Sequence, residues 1–470
     1  MAQDGQSERA VFLDGSLMRH VSTMSFTASI GLLAIFLVDF VDMIFISMLG
    51  NDALAAAIGY AGAILFSTTS VSIGVSIAAG VLIARSLGAG DLEHVRQRAT
   101  NIMVFGVVVG ILVAGLVWLN LRPLLALVGA TGETADLALR YLRIIIPSMP
   151  LLMVGMAGGA ILRAHGDARR AMYATVAGGA VNAVLDPILI FGLGLGLDGA
   201  AIASVLARVT ILFVSLYPVV RHYGGFARFD GAALRADIAP IAGLAVPAIL
   251  TNLATPVGTA YVTRAMAAFG EDAVAGMAIV GRLTPVAFCV IFALSGAIGP
   301  IVGQNAGAGQ FDRVRFAYRE GILFTGLYTL AVSAALFALR EPLAALFQAE
   351  GETRVLLFLF CGPLSLAWFF NGVIFVGNAG FNNLGHPFYS TLVNWGRNTL
   401  GTVPLVWLGA QWFGAPGVLI GLMAGGVIFA ALSALMVRRV IAESAAGGTA
   451  GPKHRFSARI RWLQLFGHRR

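Results

Sequence analysis

Long apolar runs follow one another along almost the whole of this chain, at about 19–49, 53–85, 99–120, 136–163, 170–193, 198–220, 237–268, 273–305, 317–339, 353–381, 388–410 and 416–437. A helix needs about 20 such residues to cross the hydrocarbon core of a bilayer. Backbone polar groups in hydrocarbon must be satisfied within the segment, so each run is expected to be a helix. The runs lack the two-residue alternation of a membrane β-barrel. Charge points the same way: only 11% of residues are charged, against about 25% in a soluble domain. The expected class is therefore all-α and integral to a membrane, with twelve transmembrane helices. The 470 residues leave no room for a large soluble domain.

The net charge is +8. In a soluble chain that balance would suggest nucleic acid, but here the cations sit in alternate loops. Loops 85–99, 162–172, 221–237 and 309–320 are rich in Arg, whereas 50–53, 192–199, 269–273 and 409–417 contain neither Lys nor Arg. Arg122, Arg340 and Arg354 flank two further loops and soften the contrast. Cytoplasmic loops carry the excess of Lys and Arg. That rule places both termini in the cytoplasm and the protein in the inner (plasma) membrane, with lipid and no nucleic acid as partner. The segment 1–18 has no short apolar region with a cleavage site, so the first span is expected to direct insertion. The basic tail 442–470 carries Phe456, Trp462 and Phe466 among its cations, as an interfacial segment near anionic lipid does. Cys289 and Cys361 lie in apolar runs and read as small hydrophobes.

The chain repeats itself. GNDALAAAIGYAGAI from Gly50 answers GEDAVAGMAIVGRLT from Gly270, and GAGDLEHVR from Gly88 answers GAGQFDRVR from Gly307. The offset stays at about 219 residues, the separation of Gly88 from Gly307 and of Gly166 from Gly385. Gly196, Gly199 and Ile202 pair similarly with Gly414, Gly417 and Ile420. Each copy holds an even number of spans, so the copies run parallel, related by an axis along the membrane normal. The expected organisation is an N-lobe at 19–220, a linker at 221–236 and a C-lobe at 237–441, around a central cavity. Two lobes of this kind suit alternating access.

A few polar residues interrupt the apolar runs. An Asp at a helix centre costs about 2.5–3.5 kcal/mol to insert, so intramembrane acids mark functional sites. Asp39 and Asp42 are three apart and share a helix face, as do Asn182 and Asp186 four apart. Their oxygens suit a proton or Na⁺. A purely structural role is the competing reading, with the acids paired to Arg208, Arg264, Arg282 or Arg397. Arg208 lies four after Ser204, which makes an Asp186–Arg208 pair geometrically accessible. Asp39 could instead attract a cationic substrate, and Ser204 could bond only to its own helix. The Gly194-x-Gly196-x-x-Gly199 string matches a dinucleotide fingerprint, but no strand precedes it. Gly155-x-x-x-Gly159 and Gly421-x-x-x-Gly425 read as close helix packing. No His/Cys cluster forms a metal site, and no nucleophile with a base suggests a membrane enzyme.

The repeat blocks and the stretch GDARRAMYATVAGGAVNAVLDPILIFGLGLGLDGAAIAS at 166–204 resemble the multidrug and toxic compound extrusion (MATE) family over nearly the whole chain. The resemblance implies a secondary antiporter that exports small, often cationic, organic compounds against H⁺ or Na⁺, without cofactor and as a monomer. In the branch related to the DNA-damage-inducible F proteins, the coupling cation is handled in the N-lobe. The matching positions here are Asp42, Asn182, Asp186 and the hydroxyl of Ser204. Spans seven, eight and ten carry no mid-membrane acid, which sets the chain apart from the other large branch. The stretch equivalent to Asp186-Pro187 reads Val403-Pro404. Two features depart from the branch: span one lacks its Pro, and Val38 stands where a Tyr can precede the acid. A flippase for lipid-linked saccharides is the nearest alternative, since it would need a larger and more cationic cavity.

Overall fold

The protein was analysed as a computed structural model that describes residues 10–49 and 52–447. The N-lobe contains α1 (Leu17–Ser47), α2 (Asp52–Gly88), α3 (Leu92–Leu119), the short α4 (Leu121–Leu127), α5 (Gly132–Ile145), α6 (Met149–Ala164), α7 (Ala168–Pro187) and α8 (Leu197–His222). The C-lobe contains α9 (Gly231–Ala267), α10 (Glu271–Ala287), α11 (Cys289–Gly307), α12 (Phe311–Leu346), α13 (Gly351–Leu359), α14 (Trp368–Asn383), α15 (Pro387–Gly396) and α16 (Thr402–Ala446). The described residues contain no strand. The basic tail from residue 448 onward lies outside the described residues.

By length and composition, ten helical segments can cross a bilayer, or eleven when the bent pair Gly351–Leu364 and Trp368–Asn383 counts as one span. That pair bends by 59°, at a non-helical Gly362 beside Pro363. The last segment, Pro387–Ala446, is 60 residues long and folds back on itself at Gly414, whose φ of 65° is closed to most side chains. A Cβ on Gly417 would strike Gly409, one on Gly421 would strike Leu405, and one on Gly425 would strike Gly401. Each step of four toward the C-terminus is matched by a step of four backward, so the two arms are antiparallel. Counted as two spans, they complete the twelve. The sequence reading of Gly421-x-x-x-Gly425 as a packing face is thus met by the facing arm, and Gly155 likewise packs on Ile211 and Leu212.

The lobes meet most closely at the end that carries the Arg-rich loops. Here α2 and α11, equivalent helices of the two copies, cross at their C-termini. A Cβ at Gly88 would overlap the Gln304 backbone, and one at Gly307 would overlap the Arg85 backbone. Polar groups tie the same end. Gln304, fully buried on α11, donates to the Ala164 carbonyl of the N-lobe at 2.8 Å and accepts from the Phe12 N–H at 2.8 Å. The Phe12 carbonyl accepts from Asn305 at 3.1 Å and Arg313 at 3.0 Å. Asp237 at the start of α9 accepts from Asn101 at 2.7 Å and faces Arg98 at 3.7 Å.

The connection between lobes runs from α8 to α9 and is anchored at its first residue. The Tyr223 hydroxyl donates to Asp167 at 2.8 Å, and Asp167 caps α7 by accepting from the Arg170 N–H at 3.0 Å. Burial and the adjacent carboxylate push the Tyr223 hydroxyl well above its ordinary range. Asp91 caps α3 in the equivalent way, accepting from the His94 N–H at 3.1 Å.

Candidate functional site

The N-lobe acids come together. Asp42 is carried by α1 and Asp186 by the last turn of α7. Their carboxyl groups lie within interaction range of each other. Asn182, one turn before Asp186, donates to its Oδ2 at 3.0 Å. Asp186 is fully buried and Asn182 is 8% exposed. The Oδ1 atoms of both acids are buried with no partner. An ionised carboxylate can only accept hydrogen bonds, so two such carboxyls can bond to each other only through a proton. Two further oxygens stand ready to accept another donor or a cation.

Local backbone helps to place these groups. Pro187 has no N–H to donate to the preceding turn, and the chain continues through a π-helical turn at Ile188–Gly192. Such turns interrupt helices at functional sites. Gly199, at the start of α8, lies so close to Leu189 and Ile190 that a Cβ would meet their backbone at 2.7–2.9 Å. That contact holds α7 and α8 together just beyond the acid.

Ser204 takes its place through a residue that the sequence reading did not single out. Tyr141 on α5 lies beside Ser204 and within electrostatic reach of Asp42, Asp186 and Arg208. Tyr141 is 9% exposed. Its signal in the sequence is a lone aromatic hydroxyl in the run that follows Arg140, and nothing in helical spacing ties it to residues 42 or 186.

The anticipated Asp186–Arg208 pair does not form. Arg208 instead donates to the Ile145 carbonyl at 3.1 Å and the Ser148 hydroxyl at 3.0 Å. Its guanidinium points toward the break between α5 and α6, where the Ile146–Ser148 turn leaves acceptors free. Among the described residues, Asp42 and Asp186 have no arginine ion pair. Asp39 lies on α1, and its side chain is outside the described residues.

The C-lobe presents amides instead of acids. Asn371, Asn378, Asn382, Asn394 and Asn398 are all buried. Asn394 donates to Asn378 at 3.1 Å and Ser390 to Asn382 at 3.1 Å. Arg397 donates to Asn371. This network was not anticipated, although Asn378/Asn382 and Asn394/Asn398 show the same four-residue spacing as Asn182/Asp186. Two other arginines bridge the lobes without a carboxylate partner among the described residues. Arg282 of α10 reaches the Met43 sulfur of α1 at 3.8 Å, and Arg163 of α6 approaches Gly296 of α11.

Two parallel six-helix lobes, a buried carboxylic acid pair in one of them, and a seal between lobes at one end define a membrane transporter. The family model MatE matches residues 28–188 and again residues 247–408, one match per lobe. The chain belongs to the MATE family. It is 30% identical over 422 residues to a FAD transporter of Shewanella oneidensis, covering 88% of this chain and 93% of that one. It is 30% identical over 411 residues to the probable multidrug resistance protein NorM of Pseudomonas aeruginosa, covering 84% and 83%. A solved outward-facing conformation of a multidrug resistance MATE family transporter superposes with a TM-score of 0.86 at 24% identity, over 93% of this chain and 98% of that one.

Proposed function

We propose that the protein is a secondary active exporter of small organic compounds, coupled to a cation at Asp42, Asn182 and Asp186, with H⁺ favoured over Na⁺. The carboxyl–carboxyl contact of Asp42 with Asp186 carries this reading. It is a proton-holding arrangement, buried, and not neutralised by arginine. Ser204 and Tyr141 complete its polar surroundings. In the proposed cycle, a proton enters from outside while the Arg-bearing end is sealed, and its binding weakens the hold on the cargo. The lobes then rock about the α2–α11 crossing to face the cytoplasm. The charge distribution of the loops supports cytoplasmic termini and an inner-membrane location, and the chain acts as a monomer.

The test is efflux from proteoliposomes under an imposed pH gradient. Asp42→Asn and Asp186→Asn each remove gradient-driven transport while leaving the protein folded, and an imposed Na⁺ gradient drives little. Full gradient-driven activity in both variants refutes the assignment.

A second reading concerns the charge of the cargo. Arg163 and Arg282 lie between the lobes without carboxylate partners, and one relative is named a FAD transporter. Both support an anionic cargo such as a dinucleotide, in place of the cationic compounds that the family resemblance suggests. The same cations would suit the pyrophosphate of a lipid-linked saccharide. Parallel efflux assays with a flavin dinucleotide and a cationic dye separate the readings. The anionic reading requires Arg282→Gln to depress dinucleotide efflux and spare the dye.

A further inference from the structure

A second polar feature lies away from the acid pair, at the Arg-bearing end of the C-lobe. A cleft of about 640 Å³ opens between the first turns of α12 and the last turns of α16. Arg315 and Arg319 reach it from α12, and Arg438 from α16. Arg315 has only a distant contact with Asp312 at 3.7 Å. Arg319 and Arg438 have no ion-pair partner among the described residues. Tyr318 lines the same cleft. It is 4% exposed, and its hydroxyl has no hydrogen-bond partner. A buried hydroxyl left unbonded costs free energy, so native structures rarely leave one without a partner.

The surface below the cations is apolar on both helices. Side chains three and four apart share a helix face. On α12 the arginine row continues as Leu323, Leu327 and Leu330, all exposed. On α16 the row leading back from Arg438 is Leu435, Leu432 and Ile428, also exposed. In a membrane helix these exposed rows face hydrocarbon. Cations therefore stand at the head of two apolar tracks, at the depth where a span leaves the bilayer.

We infer that this cleft binds the headgroup phosphate of an anionic phospholipid. Arg319 and Arg438 hold the phosphate oxygens, since a guanidinium presents paired donors that fit phosphate. The Tyr318 hydroxyl donates to the same group. The acyl chains lie along Leu323, Leu327 and Leu435. The apolar tracks select a lipid over a soluble phosphate.

The test uses the full-length protein in zwitterionic micelles, titrated separately with phosphatidylglycerol, phosphatidylcholine and inorganic phosphate. Bound lipid is counted by native mass spectrometry and the melting temperature is followed in parallel. Phosphatidylglycerol binds and stabilises in preference to phosphatidylcholine, and each of Arg319→Gln and Arg438→Gln weakens it about fivefold, the effect of one cation near an anionic surface. Tyr318→Phe weakens it further while the protein remains folded. Both arginines are exposed, so their variants keep the fold and leave the result readable. Equal binding of phosphatidylglycerol to wild type and the Arg319→Gln/Arg438→Gln double variant overturns the proposal. So does equal binding of phosphatidylcholine. Inorganic phosphate that stabilises as well as the lipid also overturns it, by showing a site for small anions.

Discussion

The crossing of α2 with α11 makes a quantitative prediction about conformational balance. Gly88 and Gly307 are equivalent residues of the repeat, and each lies against backbone of the other lobe. Gly88→Ala places a methyl group inside the Gln304 backbone, where no rotamer change can relieve it. Overpacking of this kind costs about 1–3 kcal/mol. Under the proposed alternating-access cycle the contact exists only while the Arg-bearing end is sealed, so the cost falls on that state and not on the state in which this end opens. At about 2 kcal/mol the sealed state loses a factor of about 30 in population. Spin labels at Glu93 and Asp312, exposed equivalents just beyond the crossing, report the separation of the lobes by electron–electron distance measurement. Wild type gives one short distance population, whereas Gly88→Ala and Gly307→Ala each add a longer one. Both substitutions widen the same crossing, so the double variant shifts the balance by less than the sum of the single effects. An unchanged distance distribution in both single variants refutes the role given to this crossing.

Three further outcomes follow from the same geometry. Arg208→Ala removes the bonds to Ile145 and Ser148, lowers stability by about 1.5–3 kcal/mol as read by thermal unfolding, and leaves the cation that drives transport unchanged. If the proposed coupling holds, Tyr141→Phe and Ser204→Ala each slow gradient-driven efflux, and the double variant is no slower than the worse single one, because both act on one shared contact. Gln304→Ala frees both the Phe12 N–H and the Ala164 carbonyl. Each orphaned group costs about 1–3 kcal/mol where buried, and faster hydrogen exchange at residues 11–16 detects the loss.

Much of the architecture was legible because it is periodic. Apolar run length marked the spans, and the 219-residue offset marked the two lobes, which the family model then matched separately at 28 and 247. Asp42, Asn182 and Asp186 stood out because acids and amides in apolar runs are rare. Their assembly was less legible. Hydropathy places a helix in the membrane but does not set its rotation, so Arg208 could be imagined facing Asp186 when its acceptors lie 60 residues earlier, at Ser148. Tyr141 reaches the site from α5, which no local spacing connects to α1 or α7. The segment around Phe12 reads in sequence only as a polar N-terminal stretch of mixed charge. Its role depends on backbone groups meeting Gln304 and Asn305, and backbone groups leave no mark in a sequence. The turn of the last two spans had been read as a loop at 409–417, whereas one glycine with positive φ suffices.

Each lobe carries a π-helical turn close to the matched proline, on opposite sides of it, and the lobes differ in the residue before that proline. A π-helical turn follows Pro187 in the N-lobe, and another, Arg397–Gly401, precedes Pro404 in the C-lobe. The Asp that precedes the first proline is a Val before the second. Nearby in the C-lobe, buried amides pair with one another, with Ser390 and with Arg397. An amide does not change charge between states, and a satisfied network gains nothing by rearranging. The acid pair has two bonding arrangements, with and without an additional cation, and its outer oxygens remain open to the change. A ligand can shift a conformational balance only by binding one state more tightly than the other. Under the proposed function, differential binding of this kind is available at the N-lobe acids, while the C-lobe amides offer no group that changes charge. Under the proposed cycle, duplication supplies the two rocking bodies, and divergence of one residue type at one turn confines the ion chemistry to the first of them.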